Sequence, residues 1–313
     1  MEFGNVPSEE LPSIDFTLPS DPDLTITTLQ SSNRAGELNV HVGCTKWVQK
    51  PWVGYLYPGG TNDSDFMAEY AKQFNTIEFG PTFYSPYAAD NIRHQWTSKV
   101  DNNPDFMFCP KMFQGVTHLR RLKNAEPQTK HFFDSLAGFD NHLGPILMQM
   151  GEPFSPKYFD DLQAFMRQIP EKLNVFVEVR DKNWFANIED RSRLFDLLQK
   201  NAIGAVITDA PGRRDCVHMQ LPTPHAFIRF VGNNGSQLEK TRLDSWVERI
   251  KLWSDLGLQS LWFYMHQHDE LYAPFSCRYF IRKLNERLGL NVIEPVMYNE
   301  LEADHELKKK FLL

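Results

Sequence analysis

Residues 176–180, FVEVR, set Glu178 and Arg180 two positions apart among apolar neighbours. Side chains alternate across a strand, so Phe176, Glu178 and Arg180 share one face and Val175, Val177 and Val179 the other. Burying charge is costly unless it is paired. The two residues therefore form a structural ion pair or serve a ligand, and about 7 Å between their Cα atoms allows either. Similar groups close other short apolar runs: Glu78, Thr82 and Tyr84 around TIEFGPTFY, Lys111 after FMFCP, Gln149 in PILMQM, Asp209 in AVITD, Arg229 in FIRFVG, and His266 after SLWFYM. Lys111, Arg180 and Arg229 around one or two carboxylates suit an anion, since a guanidinium grips phosphate or carboxylate bidentately. Glu178, Asp209, His118 and His266 offer acid–base capacity. Crowded carboxylates should split their pKa values, one rising into the range of a general acid.

Two loops add cations. Residues 210–225, APGRRDCVHMQLPTPH, show no helical stripe and carry Arg213 and Arg214; the stretch MFQGVTHLRRLKNAEPQ carries His118, Arg120 and Arg121. Long irregular loops are more often functional than not, although these arginines could equally pair with acidic neighbours such as Asp215. HQHDE, residues 266–270, admits a divalent metal held by His266 and His268 with Glu78, Glu178 and Asp209. A hydrogen-bonded, metal-free histidine is the stronger expectation, so no cofactor is assigned. Trp47, Trp52, Tyr55, Tyr57, Phe83, Tyr84 and Trp184 are core or loop anchors, or a few of them stack on a sugar or base. Phosphate loops, serine nucleophile elbows and papain-type cysteine segments are absent from the sequence.

The elements that must position these groups follow from periodicity. Eight apolar runs, near residues 39–44, 75–79, 106–111, 145–150, 174–180, 203–209, 226–232 and 260–266, read as strands covered on both faces. Helical stripes fill the intervals: Phe66, Met67, Tyr70 and Phe74; Tyr158, Phe159, Leu162, Phe165, Met166 and Ile169; and, after Thr241, Leu243, Trp246, Val247, Ile250 and Trp253, stopped by Gly257. This alternation predicts an α/β fold, a single TIM (β/α)8-type barrel over residues 38–290, with the site at the C-terminal ends of its strands. A doubly wound sheet shares the alternation but lacks support from any glycine-rich loop after the first strand. Residues 1–37 read as an N-terminal extension, partly irregular, with a docking segment around Ile14 and Phe16, and residues 291–313 as a tail.

Composition narrows the class. Of 313 residues 42% are hydrophobic, enough for a large core. No apolar run reaches the roughly 18 residues of a membrane span, and no signal peptide is evident, so a cytoplasmic protein is expected. A net charge of -7 argues against a protein that coats nucleic acid. Cys44, Cys109, Cys216 and Cys277 are scattered, which predicts reduced thiols.

Taken together and in order, TIEFGPTFYSP, FMFCPKMFQGVTH, LGPILMQM, VFVEVRDKNWF, AVITD and FIRFVG resemble the YecE-like family, domain of unknown function 72, over roughly residues 38–290. The resemblance implies a TIM barrel and no established activity. Carried over position by position, it points to Glu78, Thr82, Tyr84, Lys111, His118, Gln149, Glu178, Arg180, Trp184, Asp209 and Arg229. The chain departs from the family at Gly80, where many members have Asn, and at His266 and Gln267, where many have an Asn pair. The expected function is an enzyme acting on a phosphorylated or nucleotide-like substrate by metal-independent acid–base chemistry. Two other classes stay open: a non-catalytic module binding nucleic acid or protein, and a metal-dependent hydrolase or isomerase.

Overall fold

A computed structural model describes residues 3–34 and 36–298, and each of the eight apolar runs forms a strand in it. These are β1 (Asn39–Cys44), β2 (Thr76–Phe79), β3 (Met107–Pro110), β4 (Ile146–Gln149), β5 (Val175–Glu178), β6 (Gly204–Asp209), β7 (His225–Val231) and β8 (Ser260–His266). They make an α/β fold with a six-stranded parallel sheet in the order β1-β8-β7-β6-β5-β4 and a two-stranded parallel sheet, β2-β3.

Side chains carry much of the connection between the two sheets. The Asn75 side chain accepts from the Val42 N–H (3.1 Å) and donates to the Val40 carbonyl (2.8 Å), standing in for a ladder between β1 and β2. Nearby, the Tyr70 hydroxyl accepts from the Cys44 N–H (2.7 Å) and donates to the Thr76 carbonyl (2.9 Å). Gly43 permits this approach, for a Cβ there would lie 2.1 Å from the Thr76 oxygen. Single parallel bridges, Phe108 to Leu143 and Lys111 to Leu147, link β3 to β4.

Strand parity sorts the core. Phe176, Val206, Phe227, Trp262 and Tyr264 pack with Cys109 and Leu147 into an inner cluster. Val175, Val177 and Val179 belong to the outer cluster that the helices cover, as the alternation in FVEVR requires. The helix Gln237–Leu256 buries Leu243, Trp246, Val247, Ile250 and Trp253. It starts four residues before the expected Thr241, because Ser236 caps it: Ser236 Oγ accepts from the Glu239 N–H (3.2 Å), and the Glu239 carboxylate ties down the preceding turn by accepting from the N–H groups of Asn233 and Gly235.

The N-terminal extension is more ordered than a leader rich in Pro and Ser suggests. It contains the helix Asp23–Gln30, whose Leu29 is fully buried. Asp21 pairs with Arg249 at 2.7 Å and accepts from Trp253 Nε1 at 3.0 Å. Within the segment around Ile14 and Phe16, the Phe16 ring lies against the guanidinium groups of Arg214 and Arg242, at 5.1 and 4.6 Å. Of the expected tail, Met297 is buried, and residues from 299 onward lie outside the described part. Among the described residues no helix is long and apolar enough to cross a membrane. All four cysteines are free and buried.

Replacing Asn75 by Ala leaves the Val40 carbonyl and the Val42 N–H without their partner. Each half-buried group stranded in this way costs about 1 to 3 kcal/mol. Urea unfolding of Asn75→Ala should show a loss within that range or somewhat above it; a loss under about 0.5 kcal/mol would mean that the seam does not depend on this side chain.

Candidate functional site

At the C-terminal ends of the strands, one guanidinium joins two carboxylates. Arg229 lies on the inner face of β7 and is 2% exposed. Its Nε and Nη2 donate to Glu78 on β2, both at 2.8 Å, and its Nη1 donates to both oxygens of Glu178 on β5, at 2.9 and 3.2 Å. Glu178 also accepts from Gln149 Nε2 on β4 (2.9 Å), Thr208 Oγ1 on β6 (2.9 Å) and Arg180 Nε (3.0 Å). His266, closing β8, lies 3.1 Å from Glu78 through Nε2.

The electrostatics overturn the expected rise in a carboxylate pKa. Burial alone would raise Glu178, but Arg180 and then Arg229 outweigh it and bring the group down to about 2. Burial acts the same way on Glu78, and Arg229 again prevails, holding it well below the usual range. Both stay ionised at neutral pH, so neither is a general acid there. His266 is pushed down to about 4 by burial, in spite of Glu78. It is neutral at pH 7 and serves Glu78 as a hydrogen-bond donor.

Lys111, immediately after β3, has a different environment. Its ammonium sits 3.9 Å from the centre of the Phe83 ring, and among the described residues no carboxylate lies within ion-pair distance of it. Burial and then Arg229 pull its pKa down to about 8, against Glu78 and Glu178. Thr82 holds the segment in place by donating to the Lys111 carbonyl at 2.9 Å. His118 packs edge-on against the same Phe83 ring, 4.9 Å between centroids. Burial, then Lys111, lowers it to about 4. Its Nδ1 lies 2.9 Å from the Thr117 hydroxyl, which donates to the Phe113 carbonyl at 3.3 Å. With a pKa of about 4 the ring is neutral at pH 7. Lys111, His118 and Arg180 remain half-buried and within reach of solvent.

Other expected site residues lie elsewhere. Asp209 is on the opposite face of β6 from Thr208. There Arg242 (2.8 Å), Arg214 and Trp246 Nε1 (2.8 Å) bind its carboxylate under the helix Gln237–Leu256. Burial would raise it, yet Arg242 and Arg214 keep it lowered and ionised. Arg214 is thus drawn to Asp209. Arg213 pairs with Asp215 at 2.7 Å while donating to the Arg180 carbonyl at 2.6 Å. Trp184 is an anchor, fully buried, with Nε1 donating to the Phe154 carbonyl at 2.6 Å. Tyr84 is 71% exposed at the rim. His268 is exposed and apart from buried His266, and among the described residues no three His, Cys, Asp or Glu side chains are grouped to hold a metal ion. A cavity of about 450 Å³ lies between Pro19, Pro22, Phe185, Arg191, Arg214 and His218. Its histidine is spent on the Val206 carbonyl (3.0 Å) and the Gln220 N–H (3.1 Å), so the reactive groups are concentrated around Lys111 instead.

Residues 41–297 match the family model described as "Protein of unknown function DUF72". The chain belongs to the DUF72 family. It is 23% identical over 253 residues to the UPF0759 protein YecE of Escherichia coli K12, covering 75% of this chain and 89% of that protein. Among solved structures it is similar to a DUF72 family protein from Enterococcus faecalis V583, with a TM-score of 0.62, 16% identity, and coverage of 82% of this chain and 99% of that one. A DUF72 family protein from Thermotoga maritima MSB8 is similar too, with a TM-score of 0.61, 20% identity, and coverage of 79% and 99%. At these identities the structural likeness speaks for the fold.

Within this DUF72 chain the departures from the family pattern have local explanations. A Cβ at Gly80 would meet nothing within 4 Å, so the position has room for a larger side chain. Gln267 is a structural hub, donating to Glu239 and Ser276, both at 2.9 Å, and accepting from the Asn234 N–H at 2.8 Å. Sequence reasoning missed Thr208 and Phe3. Parity could have found Thr208, because it shares its face of β6 with Val206. Phe3, whose ring lies 4.1 Å from the Arg180 guanidinium and 4.7 Å from that of Arg213, carries no local signal.

Two outcomes follow. Arg229→Ala strands two buried carboxylates and should cost about 3 to 5 kcal/mol in urea unfolding. Arg180→Ala leaves Glu178 bonded to Gln149, Thr208 and Arg229 and should cost under about 2 kcal/mol; equal losses would refute this hierarchy. Stability should also depend on acid. His41, His118, His218 and His266 are each pushed by burial from 6.5 to about 4, so the unfolded chain binds more protons than the fold between those values. Their contribution is complete above pH 6.5 and declines as the pH falls to 4. Glu178 extends the loss from 4.5 toward 2. Denaturant midpoints that stay level from pH 6.5 to 4 would contradict the buried neutral histidines.

Proposed function

We propose that this protein is an enzyme acting on a small or medium anionic substrate, phosphorylated or nucleotide-like, by acid–base chemistry at the C-terminal ends of its strands. One observation carries this. Among the described residues, Lys111, Arg180 and Arg229 converge on Glu78 and Glu178, and Arg229 engages both carboxylates, so cations from three strands crowd one half-buried setting. Like charges crowded in low dielectric favour an incoming anion. Arg180, 12% exposed where Arg229 is 2%, is the docking group.

The roles differ from those that the sequence suggests. Glu178 and Asp209 are held ionised by arginines, so proton transfer falls to Lys111, whose pKa of about 8 is close to working pH, while His118, lowered to about 4, stays neutral beside it as a hydrogen-bonding group. No metal is invoked. The same reading takes the eight strands as a closed (β/α)8 barrel in the cytosol. Its support is the inner cluster drawn from β3 to β8, together with the Asn75 and Arg229 side chains that span from the six-stranded sheet to β2.

Thermal-shift titration with inorganic phosphate and a panel of phosphorylated metabolites tests it, because a ligand that binds only the native state raises the melting temperature. Stabilisation should be lost in Arg180→Ala and kept in Arg191→Ala, which alters the 450 Å³ cavity. The opposite pattern would place the anion in that cavity and refute the proposal.

A further inference from the structure

We infer that Lys111 is a covalent catalyst whose Nζ captures the carbonyl carbon of an anionic aldehyde or ketone as an iminium. This deepens the reading above and rests on it for the anionic part of the substrate. Three features of the site point to an amine used for its lone pair. First, Lys111 has no carboxylate of its own among the described residues, since Arg229 holds Glu78 and Glu178 on four hydrogen bonds. Second, its amine rests on an aromatic face, with its main chain pinned by Thr82, so it is placed and only partly hydrated. Third, a neutral histidine packs on the same ring. A lysine beside other cations in a partly desolvated pocket is the usual setting of an activated amine.

The groups that bear on its charge come from several strands. Arg229 and Arg180 disfavour the ammonium, while Glu78 and Glu178 favour it, and burial is the largest influence. With a pKa of about 8, on the order of one tenth of the amine is neutral at pH 7. An exposed lysine near 10.4 is neutral to well under about 0.1%.

The step balances without an oxidant or reductant. The ammonium releases one proton to solvent, and the freed amine attacks the carbonyl carbon, forming the C–N bond as the carbonyl π electrons move to oxygen. A second nitrogen proton moves to the former carbonyl oxygen. A proton returned from solvent then follows, and the oxygen departs as water with cleavage of the C–O bond. The resulting iminium keeps the positive charge that Lys111 began with, so the ion-pair cluster beneath it sees no change in net charge.

The test incubates the full chain with glyceraldehyde 3-phosphate or with glyceraldehyde in the presence of sodium cyanoborohydride, which reduces an iminium to a stable amine, and maps adducts by peptide mass spectrometry. Lys111 should be labelled roughly tenfold or more faster than exposed Lys50 and Lys130, with a rate that rises through about pH 8. The phosphorylated aldehyde should label faster than the neutral one, and Arg180→Ala should erase that preference. If both aldehydes label Lys111 selectively and equally, the amine chemistry stands and anion docking at Arg180 falls. If the phosphorylated aldehyde raises the melting temperature through Arg180 while Lys111 is labelled no faster than Lys50, the covalent inference falls and anion docking stands. Absence of selectivity with both aldehydes also overturns it. These readings come from the unmodified chain, and Lys111→Arg, which keeps the charge, should abolish the adduct.

Discussion

Arg229 between Glu78 and Glu178 is the interaction on which the arrangement of the site depends. A guanidinium buried to this degree is tolerable only if its desolvation is offset by well-aligned hydrogen bonds to charge. Here two carboxylates supply four of them, from strands in separate sheets. Such clusters contribute less to net stability than an apolar core of equal volume. What they impose is geometry, because a planar fork with fixed donors accepts only one placement of its partners. The strand ends are thereby set relative to one another, and Gln149, Thr208, His266 and Arg180 are arranged around the two acids.

The same interaction determines which groups can react. By saturating the carboxylates it removes them as proton donors at neutral pH, and by its own charge it helps to lower Lys111. Lys111, lowered to about 8, is then the group in this cluster that changes protonation under mild conditions, with the neutral imidazole of His118 on the same aromatic ring. Asp209 shows the converse. It has the chemistry of a catalytic carboxylate, yet Arg242, Arg214 and Trp246 fix it as a strut between β6 and the helix layer.

The N-terminal extension adds a layer that a barrel template would not supply. Phe3 lies on Arg180 and Arg213, and the Gly4 carbonyl accepts from the Gly212 N–H at 2.8 Å, so the start of the described chain covers the edge of the site. Phe16 lies in the same way on Arg214 and Arg242, away from the site, beside Asp209. Aromatic faces over guanidinium planes hold these cations without neutralising them.

Much of the fold was legible in the order of residues. Short apolar runs become strands, and the alternation in FVEVR already places Val177 outward and Glu178 inward, because a strand has a period of two. The same rule applied to GAVITD would have sent Asp209 outward and Thr208 inward; the assignment failed where residue type was allowed to outrank parity. The sequence also named the cluster's members, since Glu78, Lys111, Gln149, Glu178, Arg180 and Arg229 all lie at or near the C-terminal ends of strands. It could not say which acid would meet which base. Ionisation depends on burial and on charges within a few ångströms, and those neighbours come from positions as far apart as Glu78 and Arg229. Only tertiary structure decided that Arg229 would claim both carboxylates, that Arg214 would be drawn to Asp209, and that Lys111 would be left on the face of Phe83 without a counter-charge of its own among the described residues.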